Sequence, residues 1–232
     1  EATGNITTLF VYHSVKMSLA YFFNDLEQAV KHLNKAEQYS ASVASLYHFG
    51  EFYFTAALVL SAHKKQCSNI DETHQNKLTQ YLAMLENWAE NAPENYQHKY
   101  LLVQAEIATI EQNPAAWKLY DQAIAYAEKH HFIQHQAMAC ELAGEYWLAE
   151  NKVNQANLYF KQAHHLYTQW GAIAKANQLQ LKHKSLFTQE QTLPIKPHKK
   201  TQVLDLASVL KASETLSGDR KSTRLNSSHV SI

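Results

Sequence analysis

One spacing recurs along this 232-residue chain and limits what it can become: a small residue, a large apolar residue four positions on, and a small residue three further. It occurs as Ala29, Leu33, Ala36, as Ala116, Tyr120, Ala123 and as Ala156, Phe160, Ala163; Leu78, Leu82, Leu85 repeat the offsets with leucine throughout. Offsets of four and three put each trio on one face of an α-helix. Alanines let a neighbouring helix backbone approach, and the large middle residue fills the space between. The fullest case runs over 140–171, where Gly144 and Trp147 lie on a first helix and Ala156, Phe160 and Ala163 on a second. A hairpin of this kind cannot bury its apolar face alone, so stacked neighbours are expected.

The set G-x2-W-x8-A-x3-F-x2-A resembles the small/large pattern of a tetratricopeptide (TPR) helix pair. Break signals space the trios. Asn24-Asp25 separates helices expected over 3–23 and 26–40. The greasiest segment, 42–65, contains FGEFYFTAALVL; His48, Glu51 and His63 interrupt or bound a run shorter than the roughly 20 apolar residues of a membrane span, so a buried scaffold helix is expected. A polar turn over 67–72 precedes a helix over 73–90. Pro93 then opens 94–112, and Asn113-Pro114 launches 115–131. Helices over 132–150 and 153–169 form the last pair, Trp170-Gly171 ends it with glycine as C-cap, and 172–187 reads as a capping helix. The anchors Ala29, Leu78, Ala116 and Ala156 stand further apart than the roughly 34 residues of an ideal TPR unit. The expectation is all-α: a right-handed, TPR-like α-solenoid of about four irregular antiparallel helix pairs plus a cap, over 1–187.

With five glycines, none within six residues of another, the chain cannot build a P-loop, a kinase glycine loop, a dinucleotide fingerprint or a G-x-S-x-G elbow. No His precedes Glu, which removes H-E-x-x-H. Zero formal net charge gives no general attraction to nucleic acid or to an anionic membrane. His131 and His135 have the i,i+4 spacing of a one-sided zinc pair, with Cys140 or Glu141 as a conceivable third ligand, but partly exposed surface histidines are the expectation. Of His164-His165, at most one could line a groove. Lys64-Lys65 and His198-Lys199-Lys200 read as solvated spots. Trp88, Trp117, Trp147 and Trp170 read as core packing. Cys67 and Cys140 read as buried small hydrophobes of a reducing compartment. No catalytic, cofactor or metal residue is assigned.

Residues 188–202 carry two prolines and read as a linker. Val203, Leu206 and Leu210 start another helix over 203–218. Residues 219–229 (DRKSTRLNSSH) match the translation of a common sequencing-library adapter, so 219–232 is expected to be foreign and the natural sequence to run to about Gly218. A start at Glu1 without methionine suggests a fragment of a longer protein.

An ordered series carries a further likeness: Leu119-Tyr120-Asp121 with Ala123-Ile124, Glu141-Leu142-Ala143, Tyr167, Trp170-Gly171-Ala172, Ala174-Lys175, and the run from Leu204 to Ser213. It resembles the helical region of large bacterial hybrid signalling kinases, in which a serine/threonine-kinase-like domain and an AAA/STAND ATPase precede the repeats and GAF and histidine-kinase domains follow. The resemblance implies a non-catalytic scaffold or relay of a cytoplasmic two-component kinase. It also implies the flanking ATPase and GAF/histidine-kinase parts as partners, and a protein or small ligand in the solenoid groove. The alternative it leaves is a small-ligand-sensing helical domain that regulates the attached ATPase or kinase. None of that family's kinase, ATPase or phospho-accepting residues has a counterpart here.

Overall fold

The structure, a computed structural model, describes residues 6–40, 49–67 and 71–187. The linker, the helix expected over 203–218 and the adapter-like tail lie outside the described residues. Ten helices are seen among those described: α1 (Ile6–Phe22), α2 (Leu26–Ser40), α3 (Phe49–Gln66), α4 (Glu72–Asn91), α5 (Pro93–Ile110), α6 (Ala116–Lys129), α7 (Ile133–Ala149), α8 (Val153–Trp170), α9 (Ile173–Lys182) and α10 (Lys184–Phe187). No strand occurs among the described residues. Neighbours in sequence are neighbours in space: α1 packs on α2, α3 on α4, α5 on α6, α7 on α8, and α9 closes against α8. The architecture is a TPR-like all-α solenoid.

One turn geometry makes most of these hairpins. After α1, α5, α6, α7 and α8 a single residue adopts the left-handed conformation: Asn24, Gln112, His131, Asn151 and Gly171, with φ of 63°, 55°, 63°, 58° and 91°. In each case the next residue's N–H reaches the carbonyl five positions back, as from Asp25 to Ala20 (2.8 Å), Lys152 to Trp147 (2.8 Å) and Ala172 to Tyr167 (2.8 Å). This is the Schellman closure, which satisfies carbonyls the helix end leaves open and reverses the chain within a few residues. Glycine suits that conformation; Asn tolerates it, and Gln112 and His131 hold it at a cost of about 1 kcal/mol. Between α4 and α5 a lone Ala92 suffices, because Pro93 occupies the first helical turn. Asp71 caps α4 by accepting from the His74 N–H at 2.9 Å.

Two kinds of helix result. The second helix of each pair buries one stripe. In α2 it is Ala29, Leu33 and Ala36, in α6 Ala116, Tyr120, Ala123, Ile124 and Ala127, and in α8 Ala156, Phe160, Ala163, Leu166 and Tyr167. In α4, Leu78 and Leu85 are buried while Leu82 is half-buried. The first helices α3, α5 and α7 are buried around most of their circumference; in α3 every residue from Phe54 to Ser61 is inside. From Phe49 onward the greasy segment is therefore the inner helix of a pair. No helix among the described residues is long and apolar enough to cross a membrane.

One close approach is between α7 and α8. A Cβ added to Gly144 would lie 2.6 Å from Phe160 Cε1. The His183 ring stacks on Phe160 with ring centres 3.8 Å apart and restricts its movement. That inward turn of His183 also breaks the single helix expected over 172–187 into α9 and α10. Two tryptophans correct their expected placement: Trp117 is 36% and Trp170 46% exposed, whereas Trp88 and Trp147 are half-buried against the core. Cys67 is exposed; Cys140 is buried.

Gly144→Leu and Ala156→Leu are expected to lose about 1–3 kcal/mol of unfolding free energy by overpacking, and Gln162→Leu, on the exposed side of α8, to stay within about 0.5 kcal/mol. Urea denaturation compares the three, and equal losses would show that the helix faces are misassigned. At the turns the signs invert: Gln112→Gly is expected to stabilise, and Gly171→Ala to destabilise, each by about 1 kcal/mol. A matched pair of thermal melts checks both signs.

Candidate functional site

The inner helices carry charges that their apolar surroundings would reject unless paired. Glu51 of α3 sits opposite Lys99 of α5, whose Nζ donates to Oε1 at 2.5 Å, and His135 of α7 lies 3.3 Å from Oε2. His135 in turn shares a 2.8 Å hydrogen bond with His98. One carboxylate thus joins three successive inner helices. Burial opposes ionisation of Glu51, but the hydrogen bond and charge of His135, with those of Lys99, outweigh it and hold the carboxyl at about 2. His98, 2% exposed and stacked on Phe132, is pushed down to about 2 by burial and by the neighbouring charges of His135 and Lys99. The 2.8 Å contact joins His98 Nε2 to His135 Nδ1, and among the described residues the other ring nitrogen of His98, Nδ1, has no hydrogen-bond partner.

A second station lies further along α7. Tyr167 of α8 donates its hydroxyl to Glu141 Oε2 at 2.7 Å, and Lys175 of α9 donates to Oε1 at 2.8 Å. The Lys175 ammonium also stands 5.2 Å from the ring centre of Phe22 and 5.8 Å from that of Tyr167, a cation–π arrangement. One turn on, Glu145 accepts from Lys182 at 2.6 Å and lies 3.0 Å from His183 Nε2. Burial opposes its ionisation too, yet these two partners hold it at about 2.

Two cavities open beside these stations. One, of about 380 Å³, is mostly apolar and runs under α1 between Val15, Leu19, Phe52, Phe54, Met138 and Trp170. The other, of about 360 Å³, lies across Tyr21, Phe22 and Met138 from the first and reaches Glu106, Glu141 and Lys175. Lining residues come from α1, α3, α5, α7, α8 and α9, with Leu26 from α2; the outer helices α4 and α6 supply none to either cavity. The inner face is the functional candidate.

Most of these groups escape the sequence patterns above. His131 and His135 do not pair: His131 is the exposed left-handed turn residue before α7, while His135 is buried on Glu51. Glu141 holds Lys175 rather than a metal, and burial pushes the Cys140 thiol upward. No group of three metal-ligating side chains occurs among the described residues. His164 packs on Phe187 and His165 is exposed. The legible signal for Glu51, Glu106 and Glu141 was a lone charge inside an apolar helical run, as in FGEFYF, VQAEIA and ACELAG.

Stacked helix hairpins with an inner face of paired charges and cavities define a TPR-like repeat fold, of a kind that is typically non-catalytic and associates with other proteins. Residues 6–193 match the family model described as CHK1-like, TPR repeats, and the chain belongs to that family. No curated protein and no solved structure matches it.

Acid should act through the α3–α5–α7 station. The unfolded chain protonates His98 near its ordinary 6.5, whereas the folded protein refuses the proton down to about 2. The stability His98 contributes is therefore complete above pH 6.5 and is lost as pH falls below it, by at most about 1.4 kcal/mol per pH unit. Glu51, held at about 2 against an ordinary 4.5, adds a further loss below pH 4.5. Denaturant midpoints at pH 7.5 and 5.5 are expected to differ less for His98→Gln than for the wild type.

Proposed function

We propose that this chain is a non-catalytic relay scaffold of a cytoplasmic signal-transduction kinase, contacting an ATPase part on one side and a GAF/histidine-kinase part on the other. The observation that carries the reading is a contact between the two ends of the array. Gln178 of α9 donates through Nε2 to the Phe23 carbonyl at the end of α1, at 2.9 Å. The neighbouring Phe22 ring meets Tyr167 edge-on at 5.4 Å and Trp170 at 6.0 Å. A displacement of α1 by a preceding domain therefore acts directly on α8 and α9, as well as through the stack of neighbours. In this reading the repeat anchors, from Ala29 to Gly171, serve packing, and the inner face meets the partner.

An apolar stripe supports a protein partner. Tyr12, Val15, Leu19 and Phe23 fall along one side of α1 at helical spacing and are 50%, 51%, 49% and 39% exposed, with Trp170 nearby across the apolar cavity. Contiguous exposed apolar surface of this kind marks association sites. The kinase context itself comes from the resemblance of the repeat residues.

Crosslinking with mass spectrometry, on the repeat region co-expressed with the flanking ATPase and GAF/histidine-kinase parts, is expected to join Lys16 of α1 to the former and Lys182 of α9 to the latter. Phe22→Ala is expected to uncouple the ends, leaving the fold intact while weakening any effect of one flank on the other. Absence of crosslinks to either flank would sink the reading.

A further inference from the structure

Glutamate, tyrosine and lysine meet in the same way twice among the described residues. At Glu37, the Tyr81 hydroxyl donates to Oε1 and the Lys77 ammonium to Oε2. At Glu141, Tyr167 takes Oε2 and Lys175 takes Oε1. In both, one carboxylate oxygen holds a phenol and the other an alkylammonium. Glu106 repeats the first half only. Tyr120 donates to its Oε1 at 2.6 Å, and no described residue bonds Oε2 or forms an ion pair with the side chain.

Glu106 is 3% exposed and lines the 360 Å³ cavity. The other carboxylates on that cavity are already matched, Glu141 by Lys175 and Glu145 by Lys182 and His183. Lys65 at the exposed rim acts on Glu106 only through space. Among the described residues, the Glu106 carboxylate of this cavity is therefore left without a counter-ion. Beside it are the Tyr21 phenol and apolar walls from Phe22, Met138 and Leu142. Burial pushes the Glu106 carboxyl upward, as expected for a charge lacking its cation.

We propose that this cavity binds a small primary alkylamine, whose ammonium occupies at Glu106 the place that lysine fills at Glu37 and Glu141. Its alkyl body lies along Met138, Leu142 and Phe22, and it enters past Asn24, Lys65 and Gln66, which are exposed at the rim. The volume stands at the small end of ligand pockets, which suits an amine of a few carbons rather than a nucleotide or a peptide. An anion is disfavoured because it would sit against the unmatched carboxylate.

Calorimetric titration with n-butylammonium chloride and with putrescine tests this, using 1-pentanol as the uncharged counterpart. Both amines are expected to bind and to raise the melting temperature, with pentanol weaker by at least about tenfold. Glu106→Gln, which keeps the shape, is expected to fold and to lose at least about tenfold in amine affinity. Lys65→Met, which removes the competing cation at the rim, is expected to retain or strengthen binding. Absence of amine binding to the wild type, equal binding by pentanol, or equal binding by a folded Glu106→Gln would each overturn the proposal. Amine binding is separable from the relay role, since it requires neither flanking part.

Discussion

The contact that everything else depends on is the close seating of one helix of a pair against the other across small residues. Ala29, Ala36, Ala116, Ala123, Ala156 and Ala163 are at most 1% exposed, and at Gly144 even a methyl group would collide with Phe160. Such seating requires the chain to reverse within a few residues, which the left-handed turns at Asn24, Gln112, His131, Asn151 and Gly171 provide. Pairs this tight then stack, and stacking leaves the inner helices α3, α5 and α7 with neighbours on most sides. Turn chemistry, small-residue packing and an almost wholly buried inner layer are thus one causal sequence. The polar stations follow from it, since a charge on an inner helix is surrounded largely by apolar side chains and gains from a partner of opposite charge.

Those stations fix geometry more than they add stability. Replacing a buried ion pair by apolar side chains is often neutral or favourable, whereas removing one member alone leaves a costly unpaired charge. What the pairs supply is register. Glu37 takes donors from α4; Glu51 takes them from α5 and α7; Glu141 takes them from α8 and α9. An apolar contact between helices tolerates sliding, but a carboxylate that accepts from two helices at once admits little displacement of either. The same chemistry makes His98 neutral in the folded protein and ties the inner layer to pH.

How far the fold was legible follows from which interactions repeat. The A-x3-Φ-x2-A trios depend on helical period alone, so Ala156, Phe160 and Ala163 declare a common face without knowledge of their neighbour. Pro93 declares a boundary because its ring fixes φ and removes its N–H, and Gly171 declares one because it takes the left-handed cap conformation without a Cβ clash. His131 was misleading because i,i+4 spacing matters only within a continuous helix, and the left-handed turn places His131 outside the helix that holds His135. Trp170 was assigned to the core by its size, yet it borders the apolar cavity, half-exposed. The site was less legible than the fold because its pairs are distant in sequence. Nothing local in ACELAG says that Glu141 meets a lysine on α9, and nothing in VQAEIA says that Glu106 meets none among the described residues.

Contact between the ends changes how such an array behaves. In an open stack each pair touches only its neighbours, and stability is close to a sum of local terms. The hydrogen bond from Gln178 to Phe23 and the packing of Phe22 on Tyr167 and Trp170 add a term that exists only when every intervening pair is in place. Fraying at either end then costs contacts at both, so the ends protect one another instead of opening first, as solenoid ends otherwise do. Phe22 also lines both cavities, and the Lys175 ammonium rests on its ring. Anything that fills either cavity therefore presses on the residue that holds first pair to last, which places occupancy of the inner face and closure of the array under the same few side chains.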